Sequence, residues 1–176
     1  MNILVTGGAG YIGSATVNKL IEEGHFVVVI DNLSKGKKEY VHKKAIFHRG
    51  DLIDVNFLEN IFANYQFDAV MHFAAYKSVP ESNENPSKYS QNIVSTINLL
   101  NLMVKHSVKK IIYSSSAAVY GNPQYTPIDE KHPKQPQSPY SATKIGADAI
   151  AMSFFNAFNL PVTTVRPFNT YGPRQS

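Results

Sequence analysis

The sequence predicts an α/β fold, a doubly wound parallel sheet with helices on both faces, and three observations predict it. Short apolar runs of strand length alternate with longer stretches of helical periodicity along the whole chain. The first run leads through a glycine-rich turn into a helix. A second run ends in an acidic residue, Asp31, 18 positions after Gly13.

The first element is Ile3-Leu4-Val5, which reads as a short buried strand. Tyr11 to Glu23 reads as a helix with Ile12, Ala15, Leu20 and Ile21 available for burial. Between them Gly7, Gly10 and Gly13 stand at Gly-x-x-Gly-x-x-Gly spacing, with Gly8 added. A pyrophosphate carries two negative charges and needs donors at close range. N–H groups at a helix N-terminus supply them, and missing side chains allow the approach. The next strand, Phe26 to Ile30, ends in Asp31, where a carboxylate would accept hydrogen bonds from an adenosine ribose. A glycine triplet alone is weak evidence, and incidental glycines in a plain strand–turn–helix are the alternative. The order strand, glycines, helix, strand, acid is what points to a dinucleotide site.

Asn32 to Lys44 is a polar loop, and Ala45 to His48 a short third strand. A helix from about Val55 to Tyr65 places Phe57, Leu58, Ile61 and Phe62 at helical spacing. Asp68 to Phe73 is a fourth strand, so continuously apolar that it suits a parallel sheet covered on both faces. Ala74 to Asn85 reads as irregular. Pro86 suits a first helical turn, and that helix runs to about Lys105 with Ile93, Ile97, Leu100 and Val104 on one side. Lys109 to Tyr113 is a fifth strand. Ala117 to Ser138, with Pro123, Pro127, Pro133 and Pro136, is too proline-rich to be regular and too long to be idle, so a substrate-facing role is expected. Pro139 to Phe158 is a helix, Val162 to Arg166 a sixth strand, and Pro167 to Ser176 a loop.

The 176 residues suit one domain. The absence of cysteine excludes disulfides and Cys-ligated metals, and the histidines show no metal-ligand spacing. No apolar run approaches the ~20 residues that span a bilayer, and no signal sequence opens the chain, so a cytoplasmic protein without membrane or nucleic-acid partners is expected. Five lysines fall in Lys35 to Lys44; they read as a solvated loop, with a phosphate or nucleic-acid site as the alternative. His72, at the end of a strand, reads as a hydrogen-bonded core histidine.

Ligands of an open parallel sheet bind beyond the carboxyl ends of its strands. Gly7 to Gly13, Asp31, Phe73-Ala74-Ala75, Ser114 to Ser116 and Phe168-Asn169 all fall there. Tyr140 and Lys144 stand at i and i+4, on one helix face. A phenol with its ordinary pKa of about 10 is a poor base near neutrality. A neighbouring ammonium, or the positive ring of an oxidised nicotinamide, favours the phenolate. Tyr140 could then take a hydroxyl proton while Ser116 bonds the same oxygen.

Three motifs together resemble the extended short-chain dehydrogenase/reductase family: Gly7-Gly8-Ala9-Gly10-Tyr11-Ile12-Gly13, Ser114-Ser115-Ser116-Ala117-Ala118-Val119-Tyr120-Gly121, and Tyr140-x-x-x-Lys144. Within it the likeness is to nucleotide-sugar 4-epimerases of the UDP-glucose/UDP-galactose type. The resemblance covers the whole chain. It implies a Rossmann domain over residues 1–176 that binds NAD, a UDP-sugar substrate, and a homodimer. Gly7, Gly10, Tyr11, Ile12 and Gly13 would bind the cofactor, with Tyr11 packing against cofactor or core. Asp31 and Asn32 would hold the adenosine ribose, and Asp51 and Leu52 the adenine. Phe73, Ala74, Ala75 and Lys77 would line the cofactor, with Asn92 below and Pro167 near the nicotinamide. Ser116, Tyr140 and Lys144 would be the catalytic set. Lys77, Phe168 and Asn169, with Ser116 and Tyr140, would face the sugar.

Two departures bear on the reaction. Related 4,6-dehydratases carry an Asp-Glu pair directly after the catalytic hydroxyl, where this chain has Ala117 and Ala118. Conversely, Arg166-Pro167-Phe168-Asn169-Thr170-Tyr171-Gly172-Pro173-Arg174 looks more like dehydratase, decarboxylase and other epimerase relatives than like the narrow galactose epimerases. A dehydratase or decarboxylase is therefore the alternative, and a non-catalytic NAD sensor a second one. Members of the family continue into a C-terminal substrate domain, which this chain is expected to lack.

Overall fold

In the computed structural model, which describes residues 1–175, six strands form one parallel sheet: β1 (Asn2–Thr6), β2 (Phe26–Asp31), β3 (Ile46–Arg49), β4 (Ala69–His72), β5 (Ile111–Ser114) and β6 (Val162–Val165). Their order across the sheet is β3-β2-β1-β4-β5-β6. The chain therefore reverses direction of travel between β1 and β4, and that switch point opens a crevice at the strands' carboxyl ends. Ser176, the last residue of the expected closing loop, lies outside the described residues.

Alternation along the strands sorts the core into two layers. Leu4, Val28, Ile30, Val70 and Ile111 face α2 (Val55–Asn64) and α5 (Gln91–Lys105), against Leu58, Ile61, Leu99, Leu100 and Met103. Ile3, Val5, Val27 and Val29 face α1 (Tyr11–Glu22) at Val17. The expected cover holds on the α5 side from β2 through β1 and β4 to β5 and fades on the α1 side. The register row Val29–Val5–Met71–Ile112–Thr163 passes from buried through half-buried to exposed.

Several elements differ from the expectation. In α1 Ile12 and Ala15 are exposed, and Val17 supplies the burial instead. Residues 79–84, expected irregular, form helix α3 (Val79–Glu84), because Ser78 caps the Glu81 N–H and Pro80 suits a first turn. The helix from Pro86 divides into α4 (Pro86–Tyr89) and α5 at Ser90. Ser90 keeps helical dihedrals, and its carbonyl accepts from both Ile93 and Val94, so the division is a local tightening. The buried face of α5 runs through Asn92, Ser95, Thr96, Leu99 and Met103 as well as Leu100, while Ile93, Ile97 and Val104 are half-buried. Residues 117–138 open with a 3₁₀ turn, Ala117–Tyr120. Beyond Ala118 that loop packs on itself and does not line the crevice: Gln135 N–H donates to the Val119 carbonyl at 3.0 Å, and His132 is buried beside Tyr120 and Tyr125. Helix α6 (Pro139–Phe158) begins as expected, fixed by a reciprocal capping box between Ser138 and Ser141.

No helix among the described residues is long and apolar enough to cross a membrane.

Candidate active site

The crevice at the switch point is a cavity of about 810 Å³. Every residue singled out from the sequence as a catalytic, cofactor or sugar contact lines it, from Gly7 to Asn169.

Its floor is the turn after β1. A Cβ on Gly7, which has φ +72°, would lie 2.6 Å from the Ala74 nitrogen, and one on Gly13 would lie 2.1 Å from the Gly7 carbonyl oxygen. Both glycines are thus required by the protein's own packing. Gly10 is different: its nearest neighbour would be the Gly7 oxygen at 3.3 Å, so its bareness leaves room on the cavity side. Helices α2, α3, α4 and α6 each receive a side-chain cap at the N-terminus; α5, which continues from α4, has none, and α1 has only Gly10 ahead of it, which carries no side chain. The first-turn N–H groups of α1 stand at the cavity wall, ready for an anion. Lys35, Lys37, Lys77, Lys144 and Arg174 line the cavity against the carboxylates of Asp31 and Asp51, so its field favours an anionic ligand. Glycine cradle, uncapped helix and positive lining together fit a pyrophosphate-bridged dinucleotide.

Asp31 is buried at the end of β2. Its Oδ2 accepts from the Ala9 N–H at 3.0 Å and its Oδ1 from the Leu33 N–H at 2.8 Å, which fixes the carboxylate while leaving lone pairs free. Asn32 donates to Asp51 Oδ2 at 2.8 Å, so the two residues expected at ribose and adenine are bonded to each other. Asn92 does not sit as a bare contact. It accepts from the Tyr76 N–H at 2.9 Å and donates to the Tyr76 carbonyl at 3.0 Å, thereby clamping the segment that carries Phe73, Ala74, Ala75 and Lys77.

The five lysines of the loop are exposed, as expected, but its backbone is docked. Lys37 N–H donates to the Ala9 carbonyl at 3.0 Å, and a Cβ on Gly36 would meet Ala9 at 2.8 Å. The loop is docked on the glycine turn, and Lys35 and Lys37 line the cavity. Nothing local in the sequence marks that docking. Arg174 carries no local signal either. It reaches back to the Tyr40 carbonyl at 3.2 Å and closes the same wall, a contact between residues 134 positions apart.

At the opposite end stand Ser116, Tyr140 and Lys144. Ser116 Oγ accepts from the Ala118 N–H at 3.1 Å, which leaves its own O–H to donate into the cavity. Burial holds the Tyr140 phenol above its usual range, and the Ser116 hydroxyl pulls it down. Lys144 is 5% exposed. Its Nζ donates to the Ser114 carbonyl at 2.8 Å and lies 5.1 Å from the centre of the Tyr113 ring. Burial lowers its pKa to about 8, against the opposing pull of Asp148. Lys144 Nζ is bonded to the Ser114 carbonyl, and the direction of the phenol's shift comes from burial first and Ser116 second.

His72 matches its bland reading. At 2% exposure its Nδ1 pairs with Thr6 Oγ1 at 2.7 Å and its Nε2 with Thr96 Oγ1 at 3.1 Å. Burial, with Lys144 nearby, lowers its pKa to about 3, so it is neutral. Asp31 and Asp51 are the only carboxylates lining the cavity among the described residues, and both lie beyond β2 and β3, away from Tyr140.

Comparison with known proteins agrees with this arrangement. Residues 4–176 match the family described as GDP-mannose 4,6 dehydratase. A UDP-glucose 4-epimerase of Corynebacterium glutamicum is 43% identical over 173 residues, which are 98% of this chain and 52% of that protein. The Thermotoga maritima UDP-glucose 4-epimerase, solved with UDP-glucose, superposes over the whole chain and 58% of its own, with TM-score 0.98 and 41% identity. The Thermus thermophilus UDP-glucose 4-epimerase, solved with NAD, does so with TM-score 0.97 and 37% identity, again over 58% of its chain. The chain thus spans little more than half the length of these relatives.

Proposed function

This chain belongs to the GDP-mannose 4,6 dehydratase family, and from that premise we propose that it is the cofactor-binding, catalytic part of an NAD-dependent nucleotide-sugar 4-epimerase of the UDP-glucose/UDP-galactose type. The observation that carries the reading is the pairing of Ser116, Tyr140 and Lys144 with a cavity whose catalytic end has no carboxylate among the described residues. Water loss from a sugar needs an acid and a base beyond the tyrosine, and Ala117 and Ala118 offer neither.

Bound along the glycine turn, Asp31 and Lys77, NAD would accept the hydride from sugar C4 and give it back to the other face, and would place a positive ring beside Tyr140. Tyr140 Oη takes the proton of the 4-hydroxyl. Ser116 donates to the 4-oxygen as it becomes a carbonyl. Lys144 holds the cofactor's ribose and fixes α6 on β5. Phe168 and Asn169 face the sugar, which turns over as its C4 ketone. Tyr140 then returns the proton to the 4-oxygen of the inverted centre. Asp31 repels a 2′-phosphate, which supports NAD over NADP.

The reading includes a homodimer in the cytoplasm. Val94 on α5 and Met152, Phe155 and Phe158 on α6 are exposed apolar side chains on neighbouring helices, which supports a paired face.

The test is product analysis. UDP-glucose should give UDP-galactose of unchanged mass. Loss of water or carbon dioxide would turn the reading to a dehydratase or decarboxylase. NAD binding without conversion of any nucleotide sugar would turn it to a sensor.

A further inference from the structure

Asp148 lies on α6 one turn beyond Lys144 and is 6% exposed. Its Oδ2 takes Arg166 Nη2 at 2.9 Å, Arg166 Nε at 3.3 Å and Lys134 Nζ at 3.3 Å. Its Oδ1 is buried without a partner among the described residues. A buried carboxylate with one oxygen unsatisfied is costly, and a neutral side chain of similar shape would avoid much of that cost. Its place in the site gives it a use.

The cations around it come from three segments. Lys134 belongs to the loop before α6, Lys144 to α6 itself, and Arg166 to the end of β6, directly ahead of Pro167, Phe168 and Asn169. Arg166 also reaches the Tyr120 hydroxyl at 3.5 Å and lies over its ring at 5.8 Å. The Tyr120 ring in turn stacks on Phe168, with centroids 6.5 Å apart and planes at 25°. One carboxylate therefore stands on the same helix face as Lys144, at i+4, and anchors the cluster on which Phe168 rests.

We propose that Asp148 is a positioning residue of the site, acting through Lys144, which it keeps an ammonium, and through Arg166, by which it seats the Pro167–Asn169 turn. The inference rests on the roles of Lys144 and Phe168 proposed above. Lys144 is faced by Tyr113 and the Ser114 carbonyl from β5, by His72 from β4, and by Tyr140 and Asp148 from its own helix. His72 is neutral, and burial holds Tyr113 and Tyr140 in the phenol form. Asp148 is the anion among these groups. It is itself faced by Lys134, Arg166, Lys144 and Tyr113.

The experiment follows the Lys144 side chain by NMR pH titration in the lysine-labelled chain, with neither cofactor nor substrate. Asp148→Asn should move the midpoint down by about one pH unit or more, as loss of a close opposite charge does. Asp148→Glu should restore most of the shift. Lys134→Gln, at a half-exposed loop position, should move the midpoint up, because one competing cation is gone. A merely structural Asp148 would lower thermal stability and leave the Lys144 midpoint in place. An unmoved midpoint in Asp148→Asn overturns the proposal, as does one in Lys134→Gln should the asparagine variant not fold. Because no substrate is involved, failure of the epimerase assay would remove the functional reading and leave this result standing.

Discussion

Lys144 Nζ donates to the Ser114 carbonyl oxygen at 2.8 Å, and that bond joins the helix carrying Tyr140 to the strand that delivers Ser116. Ser116 and Tyr140 come from segments 24 residues apart in sequence, so their spacing depends on how α6 sits on β5. A buried charge-assisted bond contributes more than a neutral one. It also costs Lys144 part of its basicity, since burial lowers its pKa to about 8. The site thus uses the lysine as a tether first, with its charge supported from behind by Asp148.

Tyr140→Phe removes the proposed proton acceptor and keeps the ring. Loss of a positioned acid/base group costs ~10²–10⁴-fold, so kcat should fall by that much. NAD affinity, measured by titration calorimetry, should be nearly unchanged. A variant that keeps wild-type kcat would remove Tyr140 from the chemistry.

Gly10 and Gly13 should part company on mutation. Gly13→Ala forces a Cβ to 2.1 Å from the Gly7 oxygen and should lower thermal stability sharply. Gly10→Ala meets only a 3.3 Å contact and projects into the cavity. It should leave the melting temperature near wild type and weaken NAD binding by roughly tenfold, about 1.4 kcal/mol. Equal effects of the two variants on folding would contradict the assignment of the free space beside Gly10 to a ligand.

His72 sets an acid limit on stability. Its folded pKa, about 3, lies below its ordinary 6.5. The unfolded chain therefore binds the extra proton between those values. The stability this group contributes is complete above pH 6.5 and is lost as pH falls toward 3, at up to ~1.4 kcal/mol per pH unit. His72→Gln should flatten that slope in denaturant melts taken from about pH 7 to about pH 4. An identical slope in both proteins would show that the histidine is not buried neutral.

Assembly is tested at Phe155, exposed on α6 beside Met152 and Phe158. Phe155→Lys should give a monomer in sedimentation at concentrations where the parent chain is a dimer, with little change in monomer stability. A monomeric parent chain would contradict the proposed pairing.

Much of this arrangement is legible in the sequence, because its signals are local. Strand–glycine–helix order, the apolar runs and the i, i+4 pair Tyr140 and Lys144 each reflect backbone geometry over a few residues. They place both ends of the cavity at the carboxyl ends of the strands, while the strand order itself is read from the structure. What is not legible depends on contacts between distant segments. Gly36 docks on Ala9, Arg174 returns to Tyr40, and Asn92 clamps Tyr76 rather than only facing a ligand. Helix α3 escapes a sequence reading because Ser78 and Pro80 are start signals without a long apolar period behind them. The length and prolines of the loop before α6 suggest a substrate-facing role. It instead folds around His132 and sends Lys134 to Asp148, a role set by tertiary charge placement.

In the proposed reaction the sugar is oxidised and re-reduced at C4 without exchange with water. UDP-glucose carrying deuterium at C4 tests it most directly. The predicted product is UDP-galactose that retains the label at C4, with no solvent hydrogen introduced there. Loss of the label to solvent would contradict the claim.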